Sequence, residues 1–254
     1  MKKRKLDALP QDFPEAVQSF AQGAQVYDSS CGDVARVYYC DTGYYIKTAP
    51  QGSLAGEAEL SRVLFDKGLC PECVCYISRD RDYFVTRSAK GEDLTHYVDQ
   101  PEKVCAILAN ALRKLHAQPV ADVPVSEHYR QFMASANGDV QGGNYDEHVL
   151  LRRFPIASRE EAWRIMQEGK ELLRCDTLIH GDACLPNVMA DSGIFIDMGL
   201  AGVGDKHIDL FWAIWSLQYN LKTDKYTDYF LDLYGRENVD EKVLQVVAAY
   251  EVFG

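Results

Sequence analysis

Hydrophobic and polar positions change their period about a third of the way along the chain. Up to Thr86 the apolar and aromatic residues come in short runs rich in Val, Ile, Tyr and Phe. Residues 34–40 and 43–47 flank Asp41-Thr42, and two such runs around a short turn predict a β-hairpin. Residues 74–78 and 83–86 form a second pair around a charged turn. Between the pairs, Ala58, Leu60, Val63, Leu64 and Phe65 recur at helical spacing within residues 57–67, with Gly68 placed as the stop. Residues 27–33 read as a loop of small residues. Ser88-Ala89-Lys90-Gly91 then breaks the pattern.

Beyond that break the period is helical. Pro101 opens a helix to about His116, with Val104, Ile107, Leu108, Ala111, Leu112 and Leu115 on one face. Residues 137–143 are Gly-rich and read as a loop. Ser158 begins a helix with Glu161 at the capping-box position. Residues 209–219, 226–234 and 241–250 continue at helical spacing. Strands first and helices afterwards predict an α+β chain. Its expected parts are a small β-rich lobe over residues 1–88 and a larger helical lobe over residues 89–254.

Composition narrows the partners. The 254 residues are 47% hydrophobic and carry a formal net charge of −11, which argues against nucleic acid and suits a cationic small molecule. No apolar run approaches the ~18 residues that span a bilayer. The basic start, Met1 to Lys5, is not followed by an apolar stretch, so it does not read as a secretion signal. The eight cysteines are therefore expected as reduced thiols in a cytoplasmic protein. Cys70, Cys73 and Cys75 lack the second ligand pair of a zinc site.

Candidate chemistry lies in His180-Gly181-Asp182-Ala183-Cys184-Leu185-Pro186-Asn187, followed by Ile196-Asp197-Met198-Gly199. The spacing matches the catalytic loop H-R-D-x-x-x-x-N and the metal-binding D-x-G of kinases. Phosphoryl transfer needs a carboxylate to orient the acceptor hydroxyl and oxygen donors to hold Mg²⁺ against the phosphates. Asp182 fits the first task, and Asn187 and Asp197 fit the second.

These strings, with Tyr44-Tyr45-Ile46-Lys47, Leu112-Arg113-Lys114-Leu115-His116 and Gly204-Asp205-Lys206-His207-Ile208-Asp209-Leu210, resemble the aminoglycoside phosphotransferase family. The likeness runs from about Gln25 to Phe253 and is nearest to the 3'-phosphotransferases. It implies a bilobal protein-kinase-like fold, ATP or GTP with Mg²⁺, a cationic aminoglycoside as acceptor, and a monomer or weak dimer. A kinase of another hydroxylated small molecule, or a nucleotide-binding pseudokinase, are the rival readings.

The resemblance also implies roles. Lys47, at the end of its strand, would pair with the phosphates and take Glu57 as helix partner, with Glu59 the alternative. Tyr45, two residues earlier on the same face, would stack on the nucleobase. The backbone of Arg87 to Ala89 would be the hinge that binds the base. Ser30 belongs to the phosphate-covering loop, where a full Gly-rich motif is missing. Asp209 and Asp205 would brace the catalytic loop, and Cys184 would pack rather than react. Asp146, Glu147, Glu251 and Phe253 are candidates for the acceptor side. Leu200, Trp215, Tyr219 and Asn220 depart from the family pattern, which has charged residues there.

Overall fold

The computed structural model describes residues 4–30, 34–135 and 145–253. The chain divides into two compact units, Met1–Lys90 and Gly91–Gly254. The first contains strands β1 (Arg4–Leu6), β2 (Val26–Asp28), β3 (Arg36–Cys40), β4 (Tyr44–Pro50), β5 (Cys73–Ser78) and β6 (Arg81–Arg87). They form one antiparallel sheet in the order β1-β2-β3-β4-β6-β5. Alternation sorts the side chains onto two faces. Val26, Tyr38, Ile46 and Val85 pack with Phe13 and Val17, the latter from α1 (Glu15–Gln18). Ala49 and Phe84 pack on the other face against Leu54 and Ala58, the latter on α2 (Ala55–Phe65).

Several boundaries differ from the expected ones. β4 continues to Pro50, so Lys47 lies within the strand rather than at its end; Thr48 and Ala49 are buried and keep pairing with β6. β3 starts only at Arg36, and the preceding Val34 is exposed. The loop expected over 27–33 opens as strand β2, because Tyr27 pairs with Tyr39; residues 31–33 fall outside the described residues. β1 and α1 were not predicted, since elements of three or four residues are too short to show a period.

The second unit is helical, with a two-stranded ribbon at its centre. Its helices are α3 (Pro101–His116), α4 (Glu127–Ser135), α5 (Arg159–Gly169), α6 (Lys206–Leu221), α7 (Thr227–Tyr234) and α8 (Glu241–Glu251). The ribbon pairs β7 (Thr177–Ile179) with β8 (Gly202–Gly204). Leu108, Leu112, Leu115, Phe211, Ile214 and Val247 are fully buried among these elements. Gly169 lets α5 cross α8 closely, for a Cβ there would lie 2.2 Å from Val246. Ser158 caps α5 by accepting from the Glu161 N–H, while the Glu161 carboxylate accepts from the Ala157 N–H, one residue outside the usual capping-box partner. The Gly-rich stretch 137–143 lies outside the described residues. Among the described residues no helix is long and apolar enough to cross a membrane.

Candidate active site

In the first unit, Lys47 Nζ donates to Glu57 Oε2 at 2.9 Å. Both side chains are largely buried, 20% and 5% exposed, so the pair is far better shielded than a surface ion pair. Glu59, the alternative partner, is exposed. Asp82 on β6 sets the position of Glu57. Its fully buried carboxylate accepts from the Gly52 and Leu54 N–H groups at 2.9 and 2.8 Å and from the Tyr76 hydroxyl at 3.0 Å. Burial disfavours the Asp82 charge, but these donors outweigh it and hold its pKa below the ordinary value. Leu54 is the N-cap of α2, so Asp82 ties the start of that helix to the sheet.

Tyr45 shares a face of β4 with Lys47 and packs on Tyr39, ring centroids 4.9 Å apart. The Ser30 hydroxyl accepts from the Val37 N–H at 2.9 Å, closing the β2–β3 connection. The Arg87 N–H donates to Glu72 O and the Ser88 N–H to Gly43 O, both at 2.9 Å. Two of the three expected hinge amides are therefore engaged within the unit, which leaves Ala89, half-buried, to carry the hinge reading.

In the second unit, the β7–β8 ribbon holds the catalytic-loop string and the D-x-G string between its strands. Asn187 Nδ2 donates to the Asp182 carbonyl and to Asp182 Oδ2, both at 2.9 Å. The amide orientation is thereby fixed, with its nitrogen toward Asp182 and Oδ1 presented elsewhere. His180 is fully buried; its Nδ1 accepts from the Asp182 N–H at 3.2 Å and its Nε2 lies 2.9 Å from the Ile196 carbonyl. Through these two bonds it links the two strings. Asp197 adopts left-handed backbone, φ 59° and ψ 63°, a conformation rare outside glycine. Gly181 is required: its φ is +85°, and a Cβ would sit 2.7 Å from the Leu200 carbonyl.

Asp209, fully buried on α6, accepts from the His180 and Gly181 N–H groups, each at 2.8 Å, and from His116 Nε2 at 3.0 Å. Burial works against its charge, but His116, His180 and the backbone donors prevail and keep its pKa low. Asp205 caps α6 by accepting from the His207 N–H and also accepts from the Arg174 N–H. Cys184 is largely enclosed, and burial followed by the nearby Asp182 pushes its thiol far up, so it carries no thiolate.

The acceptor-side candidates separate. Glu251 is buried: Trp212 Nε1 donates to its Oε1 at 2.6 Å, and His128 Nε2 lies 3.2 Å from the same atom. His128 Nδ1 meets the Gly181 carbonyl at 2.5 Å, so both ring nitrogens face acceptors, as an imidazolium requires. Burial opposes its charge, yet Glu251, the Gly181 carbonyl and Asp209 raise its pKa. Burial likewise raises that of Glu251. Glu251 thus faces inward, against His128 beside the catalytic loop. Asp146 caps a short 3-10 turn (Glu147–Val149), and its N–H donates to Val252 O at 2.8 Å. Glu147 is exposed, and Phe253 lies against Tyr145 at 5.8 Å. Trp215 donates to the His148 carbonyl at 3.3 Å and stacks on Tyr219.

Sequence reasoning missed Asp82, His116 as the partner of Asp209, and His128. Asp82 looked like part of a charged turn. Apart from Tyr76, six residues before Asp82, their partners lie tens of residues away, and nothing local marks them.

The bilobal protein-kinase-like fold and these two donor sets define a phosphotransferase of the small-molecule kinase class. Residues 32–248 match the family model of the phosphotransferase enzyme family. The chain is 38% identical over 252 residues to a probable aminoglycoside 3'-phosphotransferase of Lactococcus lactis subsp. lactis (strain IL1403), covering 95% of each. It is 30% identical over 179 residues to an aminoglycoside 3'-phosphotransferase of Niallia circulans, covering 68% of each. Its fold is similar to the crystal structure of an aminoglycoside-3'-phosphotransferase of type VIII, with a TM-score of 0.69 at 22% identity over 94% of this chain and 97% of that one. The chain belongs to the phosphotransferase enzyme family.

Proposed function

We propose that this enzyme transfers the γ-phosphoryl group of ATP or GTP to a hydroxyl of a cationic aminoglycoside, the 3'-hydroxyl first among them. The observation that carries the reading is the Asp182–Asn187 arrangement, a carboxylate held by the amide of the residue that would ligate metal. Asp182 accepts the proton of the acceptor hydroxyl as it attacks in line. Lys47, steadied by Glu57, binds the α- and β-phosphates, Tyr45 stacks on the base, and Ala89 supplies a hinge contact. Ser30 and Arg87 take a supporting part through the strands they close.

The donor set fits magnesium. Asn187 Oδ1 and the Asp197 carboxylate are hard oxygen ligands, and Asn187 cannot turn its nitrogen outward without losing its bonds to Asp182. When bound, Mg²⁺ would neutralise the charge that develops during transfer. On the acceptor side, Asp146, Glu147 and Phe253 lie together near the chain end, and Glu251 acts from beneath through His128.

The test is phosphorylation by the purified enzyme, with ATP or GTP and Mg²⁺, of kanamycin, its 3'-deoxy analogue, choline and an amino sugar. Phosphorylated kanamycin with an untouched 3'-deoxy analogue is expected. The departures at Leu200, Trp215, Tyr219 and Asn220 favour the second reading, a different hydroxylated acceptor. Turnover of choline or the amino sugar alone would establish it, and nucleotide binding without any turnover would establish a pseudokinase.

A further inference from the structure

Helix α6 carries a row of aromatic rings at helical spacing. Trp212 and Trp215 meet edge to face at 5.5 Å, and Trp215 and Tyr219 stack at 5.0 Å with their planes 8° apart. The row begins beside the catalytic loop, because Trp212 is fixed to Glu251 and Asp209 of the same helix holds the Gly181 N–H. It ends in solvent, where Tyr219 is 58% exposed. One face of that ring lies on Trp215, and the row as a whole is an aromatic surface that reaches from the catalytic loop to solvent.

Two observations say what the row would take. Lys222 Nζ lies 4.1 Å from the centroid of the Tyr219 ring, so this ring already attracts a primary ammonium. The Trp215 indole is bonded to the carbonyl of His148, whose two preceding residues are Asp146 and Glu147. Rings with an ammonium on their face, next to two carboxylate residues, suit a ring-shaped polyamine. A neutral acceptor would gain stacking on the rings but no cation–π attraction.

We propose that Trp215 and Tyr219 form an aromatic platform for an amine-bearing sugar ring of the acceptor. The platform grips it by cation–π attraction and by stacking on its C–H face, with Lys222 displaced from Tyr219 by the substrate's own ammonium. This rests on the reading of the acceptor as an aminoglycoside. It deepens that reading, because it assigns selectivity to rings rather than to carboxylates at these positions.

The experiment is steady-state kinetics for kanamycin and ATP with the wild type, Tyr219→Phe, Tyr219→Leu and Tyr219→Glu, each checked by thermal melting. Tyr219→Phe keeps a ring and should hold the kanamycin KM within about twofold. Tyr219→Leu should raise it about five- to tenfold, with kcat and the ATP KM unchanged. Tyr219→Glu should also raise it. An unchanged KM in Tyr219→Leu, or a lower KM in Tyr219→Glu, would overturn the platform while leaving the kinase reading intact. A wild type that phosphorylates no aminoglycoside at all would overturn both.

Discussion

Asn187 Nδ2 bonds twice to Asp182, once to the carbonyl and once to the carboxylate. The residue proposed as metal ligand therefore also orients the proposed base. Asp182→Asn keeps the shape but removes the proton acceptor. Transfer should fall by roughly 10²- to 10⁴-fold while the nucleotide dissociation constant stays near that of the wild type. Turnover assays paired with nucleotide titration check this, and near-normal turnover would remove Asp182 from its role. These residues were legible because the motif keeps them within a few positions of each other. His128 was not: it touches Gly181, 53 positions on, and Glu251 near the chain end, and a lone histidine in a helix carries no such information.

Helix α6 does several tasks at once. Its cap is Asp205, its first turn carries Asp209, and Ser216 accepts from the Leu185 N–H at 2.9 Å. The helix is thus bonded to the catalytic loop at two levels. Removing Asp209 strands the His180 and Gly181 N–H groups and His116 in the interior. Asp209→Ala should cost about 3–5 kcal/mol of stability, read by denaturant unfolding. The pH dependence follows from the lowered folded pKa. The contribution of Asp209 is complete above its ordinary value of 3.8 and is lost as pH falls through the lower folded value. The wild type should therefore lose melting temperature more steeply than the variant when acidified below about pH 4. The helix itself was readable from its period, and Asp209 was read as a brace from the family resemblance. That it braces through His116 as well was not readable, since that bond joins α6 to the end of α3.

At the scale of the molecule, the order of a strand-rich part before a helical part was plain in the pattern. The pattern missed β1 and β2, which pairing with distant strands decides, and the helices α1 and α4. With Asn187 and Asp197 as the proposed metal ligands, nucleotide affinity should depend on Mg²⁺. Calorimetric titration should find Asp197→Ala weaker in nucleotide binding than Asn187→Ala, since a carboxylate neutralises metal charge and an amide offers only a dipole. Equal affinity with and without Mg²⁺ would count against this. Within the first unit, the bonds of Asp82 carry a consequence for regulation. Protein kinases are switched on and off by moving the helix that bears the glutamate partner of the strand lysine. Here the same helix is fastened at its N-cap to a buried carboxylate on the sheet. Each hydrogen bond to that charged group is worth about 1.5–3 kcal/mol. Swinging the helix away would break the Leu54 bond and pull on the one from Gly52, so this anchor opposes control by that route. Output then follows the supply of nucleotide and acceptor and the amount of enzyme made, as befits a catalyst that has to act whenever its substrate arrives.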